Sequence, residues 1–514
     1  MTTMLKTPVA LASLMMVALL GSGLARAADA VTLLPARQLT TQSLLVSSQT
    51  ERVRQGLLKA LATHPEVLGV VAAKESAGYQ VEAAQYARLP RLQLASGAGS
   101  TSADVGGEKD YNVLSLNARM TLIDGGVMGA RVDAARANDE ASGAAVRATR
   151  QKVALDALTA YLQVLRHNHK RDAAGRAIQA LDELVRLEQR RADLGATGEN
   201  DIRLAQSRRA TFAAKRHEFE SQLADASAKF ETYFGFQPEV ATLPALMLPG
   251  HWSIPAALDD ALSQAQANSS ELAEARSRVE NAQALVKQYE AARFPSLDVV
   301  WTKTHDPRGV VYNDATRTGV EINWNFGNGF ELQLRVKTAL AEVANQESKY
   351  EAARLNLMQL TSTAWGQARA GKDKTAEMVS AVSEAAALLH GRRRLMEFGR
   401  ETLVQVLDAQ VDYELQVLDF IDAVIDQRIN ELRMARVMGF MDEQSWGTTW
   451  VNQVFSANRV DDVLGLIAPG NGRAPAAARA GGNAAVRSAT AMPVEDAGAT
   501  SLRLQPSYAL LGRP

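Results

Sequence analysis

The chain has 514 residues, with 56 Lys and Arg against 57 Asp and Glu and a formal net charge of −1. Both signs are spread along its length, so there is no basic footprint for nucleic acid. It contains no cysteine, which excludes disulfides, thiolate metal sites, a cysteine nucleophile and a thiol-anchored lipid.

Residues 1–27 carry one lysine, Lys6, an apolar run from Val9 to Leu20, and the small-residue site Ala25-Arg26-Ala27. This pattern predicts a secretory signal peptide cleaved after Ala27. The alternative is an uncleaved membrane anchor, which the short apolar run disfavours, since a spanning helix needs about 20 apolar residues. No later stretch is long enough either, so no transmembrane helix is predicted in the mature chain. Residues 28–50 read as an N-terminal periplasmic segment.

The rest is dominated by a duplication. Gly195 and Gly399, Gly235 and Gly439, and Ala205-Gln206 and Ala409-Gln410 are each 204 residues apart. Ala60 and Glu66 recur as Ala265 and Glu271, and Ala87-Arg88-Leu89-Pro90 recurs as Ala292-Arg293-Phe294-Pro295, at an offset of 205. This length is far beyond solenoid periods and indicates two tandem repeats in one fold. The first covers 51–235 and the second 256–439, joined by a linker at 236–255.

No proline lies between Pro90 and Pro238 or between Pro307 and Pro469, which permits very long helices. Leu155, Leu158, Leu162 and Leu165 keep helical spacing, as do Leu403, Val406, Leu407 and Val411. A helix over about 127–194 would be roughly 100 Å long, a length suited to coiled-coil packing. Aromatic residues are only 5% of the chain, in keeping with alanine-rich helices that pack through small side chains. Gly195, Gly198 and Gly399 read as the turns where long helices reverse.

Between the helices the period changes to two. Leu114, Leu116, Ala118, Met120 and Leu122 alternate with polar residues, and Val320, Ile322, Trp324 and Phe326 do so in the second repeat. Four strands are predicted, at about 92–101, 112–123, 296–304 and 317–326, nine to twelve residues each. Gly-, Asp- and Asn-rich loops join them as hairpins. A tilted strand of about 9–11 residues spans a bilayer's hydrocarbon layer. The apolar face would then meet lipid while Arg119, Glu321 and Asn323 face a wet lumen. A soluble sheet packed on helices would show the same alternation. The signal peptide tilts the reading toward a membrane. Four strands cannot close a barrel, which needs about eight, and open edges are not tolerated in lipid, so the membrane reading requires an oligomer.

Several local motifs fall in register with this order. His64-Pro65-Glu66-Val67 opens the first repeat, and the Ala-Arg-X-Pro strand opening occurs twice. Ile123-Asp124-Gly125-Gly126 and, in degenerate form, Phe326-Gly327-Asn328-Gly329 close the hairpins, and Phe398 to Gln410 form the second pivot. Together they resemble the TolC family of outer-membrane export channels, over about residues 54–442. The resemblance implies a mixed, mostly helical fold. Its outer-membrane β-barrel is completed by a trimer, with four strands per chain, and is continuous with a long periplasmic coiled-coil tunnel. It implies a Gram-negative outer-membrane location, no catalytic activity and no cofactor. Its implied partners are two further copies, a periplasmic adaptor protein, an inner-membrane ABC transporter or proton-driven pump, and outer-membrane lipid.

The resemblance also assigns the tunnel entrance to the second pivot. Asp408 matches one acidic ring position there, while Gln405 stands where some members carry Asp and Glu401 where some carry Arg. These departures put a family-like arginine–carboxylate latch in doubt and predict weaker entrance charge. Asp201 is the repeat-related counterpart of Gln405. The plain alternative is that Asp408 and Asp201 are solvated helix-face residues.

Other candidates are weaker. His167 and His169 are two apart and do not share a helix face as an i, i+4 metal pair does. Arg190-Arg191 and Arg392-Arg393-Arg394 read as solvated faces rather than an adaptor contact. Residues 440–467, with Trp446, Trp450, Val454 and Phe455, read as a short packed segment, and the resemblance implies that it joins the linker in an equatorial belt. Residues 468–514 read as a disordered tail. Three functions remain in order: the outer-membrane conduit for type I protein secretion, a conduit for drug or small-molecule efflux, and a soluble periplasmic coiled-coil scaffold.

Overall fold

The computed structural model describes residues 36–103, 107–194, 198–239, 243–249, 252–307, 314–325, 330–441 and 449–459. The expected signal peptide, the tail from 468, Gly195, Trp446 and Phe326 to Gly329 lie outside the described residues.

The chain opens with α1 (Ala36–Thr63) and α2 (Pro65–Tyr86), then the strands β1 (Arg91–Ala103) and β2 (Gly107–Ile123). The 67-residue α3 (Val127–Asp193) and the 36-residue α4 (Glu199–Phe234) follow. A short β3 (Pro244–Leu246) and α5 (Leu258–Asn268) lead to a second passage in the same order. That passage is α6 (Ser270–Ala291), β4 (Ser296–His305), β5 (Ala315–Asn323), the 67-residue α7 (Glu331–Glu397) and the 35-residue α8 (Leu403–Val437). The chain closes with α9 (Thr449–Val454) and β6 (Phe455–Arg459).

Local chemistry sets the breaks. Pro65 at the first helical position follows an extended His64, where its missing N–H costs nothing. Ser269 caps α6 by accepting from Leu272 N at 3.1 Å. Thr402 and Gln405 form a reciprocal capping box at α8. At the sheet-to-helix corner, Gly125 has φ +68°, and a Cβ there would sit 2.8 Å from Phe294 Cβ and 2.9 Å from Ala291 O, so only glycine fits. Asp124 then accepts from Gly126 N at 3.0 Å and from Met128 N at 2.5 Å, covering orphan donors at the start of α3.

The helices form a bundle in which α3 packs on α4, α8, α6 and α2, while α7 packs on α8 and α6. One core, near the middle of the long helices, holds Leu158, Tyr161, Leu162, Phe230, Phe234, Trp252, Trp450 and Phe455. There β3 pairs antiparallel with β6, and Arg54 Nη2 donates to Asn452 O and Phe455 O at 2.8 and 2.7 Å. A second core toward the α7–α8 turn holds Leu181, Leu184, Phe212, Leu403, Val406 and Leu407.

The other four strands form an antiparallel sheet in the order β1-β2-β4-β5, with β1 and β5 as its edges. Three boundaries differ from those read in the sequence. The β1–β2 hairpin is longer, 13 and 17 residues, because pairs such as Thr101↔Lys109 and Ser100↔Asp110 continue the ladder through residues of loop-like composition. β5 ends at Asn323 instead of 326; the Trp324 indole N–H donates to Arg293 O at 3.0 Å and turns the chain back toward the end of α6. α1 runs without a break through the expected boundary at residue 51, since Val53, Leu57, Ala60 and Leu61 bury one continuous stripe.

Candidate functional site

The sheet has two unlike faces. One carries Leu92, Leu94, Leu114, Leu116, Ala118, Met120, Leu122, Leu297, Val299, Trp301, Val320 and Ile322, which strand register places on the same side. None of the described helices covers it: Leu92 is 74% exposed and Ile322 is 73% exposed. The stretch from Leu114 to Leu122 is about 26 Å long at ~3.3 Å per residue, close to the apolar band of a membrane barrel.

The opposite face is polar and organised around Arg119. Its guanidinium donates to Asp298 Oδ2 and Glu321 Oε2, both at 3.1 Å. Asn323 Nδ2 donates to the same Asp298 oxygen at 2.9 Å. The three residues picked out in the sequence, Arg119, Glu321 and Asn323, are thus brought together. Asp298, which was missed, is the buried centre of the cluster, 5% exposed. Its signal was present: between Leu297 and Val299 it is the polar member of an alternating pair.

The other end of the bundle holds the helix turns. Gly399, with φ +70°, closes α7, and Gly198 is the extended residue before α4. Asp408 on α8 lies 3.7 Å from Arg208 Nη2 on α4, and both side chains are about half exposed. Glu401 is mostly buried, 3.8 Å from Arg392 Nε. Gln405 does not project as a free side chain; its Oε1 accepts from Thr402 N at 3.0 Å and Thr402 Oγ1 at 2.9 Å. Asp201 sits half-buried in the first turn of α4, and its N–H donates to Gly198 O at 3.2 Å.

Arginine–carboxylate contacts form at the pivot within one chain, Arg208 with Asp408 and Arg392 with Glu401. One expectation changes here: the run Arg392-Arg393 is not merely solvated. Arg392 Nη1 donates to Gln405 O at 2.8 Å, and Arg393 donates to Gln410 Oε1, so both brace the α7–α8 turn.

Behind the turn lies a relay that sequence reading missed. Gln410 Nε2 donates to Glu414 Oε1 at 2.7 Å, and Glu414 is only 7% exposed. Burial pushes its carboxyl up to about 7, against the opposing pull of the Gln410 hydrogen bond and the Arg176 and Arg393 charges. The signal was periodic: Leu403, Val406, Leu407, Gln410, Tyr413, Glu414, Val417 and Leu418 form one buried stripe with two polar members. Among the described residues, no group of three His, Asp or Glu gathers to hold a metal, and no helix is long and apolar enough to cross a membrane.

The family described as "Outer membrane efflux protein" matches residues 57–235 and again 261–440. The chain belongs to the outer membrane efflux protein family. It is 22% identical over 419 residues to outer membrane protein TolC of Escherichia coli K12, covering 77% of this chain and 84% of that protein. Solved structures share the fold. A membrane protein from Pseudomonas aeruginosa superposes with a TM-score of 0.67 at 17% identity, over 76% of this chain and 90% of that one. VceC from Vibrio cholerae gives a TM-score of 0.66 at 18% identity, over 78% and 96%. The CmeC channel of Campylobacter jejuni gives 0.66 at 14%, over 78% and 89%.

An outer membrane efflux protein is an outer-membrane channel with a large periplasmic part, and family and fold are those of channels rather than enzymes. Channels of this family are trimeric and work with adaptor proteins and inner-membrane pumps. The exposed apolar face and the long helices are the two features of this chain that such a location demands.

Proposed function

We propose that three copies of this chain close a 12-stranded barrel, each β5 edge pairing with the β1 edge of the next copy, and that the helices continue it as a periplasmic tunnel. The observation that carries this reading is a four-stranded sheet with two open edges and an uncovered apolar face. In lipid, unpaired edges and an unclosed sheet are untenable. Leu340, Leu355, Leu360 and Leu388 on α7 are also exposed in the single chain, as expected of a helix that meets the next copy.

In this assembly Arg119, Glu321 and Asn323 line the barrel lumen. Asp408, Glu401, Gln405 and Asp201 surround the periplasmic entrance, with Gly195, Gly198 and Gly399 as the pivots. The Arg208–Asp408 and Arg392–Glu401 pairs hold the helix tips in register. The half-exposed Arg208–Asp408 pair is worth about 0–1 kcal/mol, which suits an entrance that must open.

The channel serves a tripartite exporter, with an inner-membrane ABC transporter and a periplasmic adaptor moving an unfolded protein. The lack of any cysteine for a lipid anchor favours this over small-molecule efflux. The family's efflux description favours the second reading, a proton-driven pump exporting drugs or metabolites. Crosslinking cells, purifying the protein in detergent and identifying the co-purified transporter by mass spectrometry separates them. An ABC transporter with its adaptor is expected; a proton-driven pump overturns the secretion reading.

A further inference from the structure

The polar face of the sheet is not balanced in charge. Strand register puts Arg91, Lys109, Arg119 and Arg317 on it, against only Asp298 and Glu321. Both acids are already engaged. Asp298 and Glu321 share Arg119, and Glu321 lies a further 3.6 Å from Arg317. Arg91 stands directly opposite Arg119 across the β1–β2 ladder, an arrangement of like charges that costs stability unless an anion relieves it. The Arg119 guanidinium turns toward β4 and β5, which leaves Arg91 without a carboxylate.

Where the sheet meets the helices, a cleft of about 330 Å³ opens on this face. Arg91, Arg131, Thr121, Asn323 and Asn325 line it. Arg91 and Arg131 are both exposed, and neither makes an ion pair among the described residues. The one carboxylate in the cleft, Asp124, spends both oxygens on the backbone N–H groups of Gly126 and Met128. The cleft therefore presents two guanidiniums with no ion-pair partner among the described residues, the Thr121 hydroxyl, and one carboxylate that is already engaged. Guanidinium forks match carboxylate and phosphate oxygens in shape and charge.

We propose that this cleft is an anion-binding station at the junction of barrel and helices, where Arg91 and Arg131 hold a carboxylate or phosphate group of the passing substrate. The inference rests on the reading of the polar face as the lumen. It adds a substrate preference: the channel favours molecules bearing oxyanions. Repetition around a closed barrel would multiply the positive potential, and a low-dielectric wall would focus it. The cleft lies on the face opposite the apolar band, so the anion it takes comes from solution and not from lipid.

The test uses the full chain reconstituted in planar bilayers of a neutral phosphatidylcholine, with citrate added from the barrel side as the probe. Citrate is expected to block single-channel current, and Arg91→Gln with Arg131→Gln to weaken the block by roughly threefold to tenfold. The matching Arg91→Lys, Arg131→Lys variant should restore most of it, and added salt should weaken it in the wild type. Equal block in wild type and the Gln variant overturns the station while leaving the channel reading intact. Equal loss in the Gln and Lys variants also overturns it, by pointing to altered shape instead of charge. Block that appears only with phosphate-bearing anionic lipid in the bilayer assigns the cleft to lipid and overturns it too. A wild-type chain that assembles in the bilayer but never conducts overturns the channel reading itself.

Discussion

Glu414 is a carboxyl whose chemistry is set by its burial. Its folded value of about 7 lies above the ordinary 4.5, so the folded protein holds this proton more tightly than the unfolded chain does. Its contribution to stability is fully present below about 4.5 and is lost as pH rises toward 7. By the conversion of ~1.4 kcal/mol per unit, the loss is on the order of 3 kcal/mol. Raising pH from about 5 to about 8 should lower protection of the α7–α8 turn against hydrogen exchange, and Glu414→Gln should flatten that dependence. A pH profile identical in the two proteins would show that Gln410, Arg393 and Arg176 already neutralise the carboxylate. Asp408, by contrast, was legible from motif position alone, but its partner Arg208 was not. Nothing in a linear sequence says that a residue on α4 faces one on α8.

At the scale of elements, period and punctuation account for most of what was legible. The two proline-free stretches became helices of 67 residues each, and the four alternating runs became strands. The ends were less legible. The β1–β2 ladder extends through Gly, Ser and Thr because backbone pairing in a long hairpin does not require apolar side chains. The Gly125 corner is a sharper case, since its requirement comes from Phe294 and Ala291, about 170 residues away. Gly125→Ala should destabilise the junction of sheet and helix by roughly 1–3 kcal/mol. Gly175→Ala, in open space on α3, should be neutral or stabilising by up to ~1 kcal/mol. Comparing the two by thermal unfolding in detergent checks this. Equal effects would mean that the corner relaxes around the added methyl.

For the whole molecule, the controlling fact is an incomplete sheet. A single chain exposes an apolar band on one side, unpaired edges at β1 and β5, and the leucines Leu340, Leu355, Leu360 and Leu388 on α7. These three deficits are met by one operation, cyclic repetition of the same chain. The protein should therefore run as a heat-modifiable trimer in mild detergent and resist extraction by carbonate or high salt. A stable monomer that keeps its full strand content would refute the closed barrel. The middle of the bundle is consistent with a fixed scaffold: β3 and β6 join the linker to the C-terminal segment over a core of aromatic side chains. At the tip, ion pairs and a buried, proton-sensitive carboxylate are set against the second apolar core.

By itself the sequence determined the order of elements, the long uninterrupted helices and the two-faced strands. Each of these depends on local spacing, on proline, or on periods of 3.6 and 2.0 that any short window displays. Only the tertiary structure decided which charges meet. The cluster of Arg119 with Asp298, Glu321 and Asn323, the pairing of Arg208 with Asp408, and the burial of Glu414 join residues from different elements. So does the lack, among the described residues, of an ion-pair partner for Arg91 and Arg131, which depends on Asp124 being spent on the start of α3. Electrostatic partnership depends on distance in space and on exclusion of water, and neither can be read along a chain.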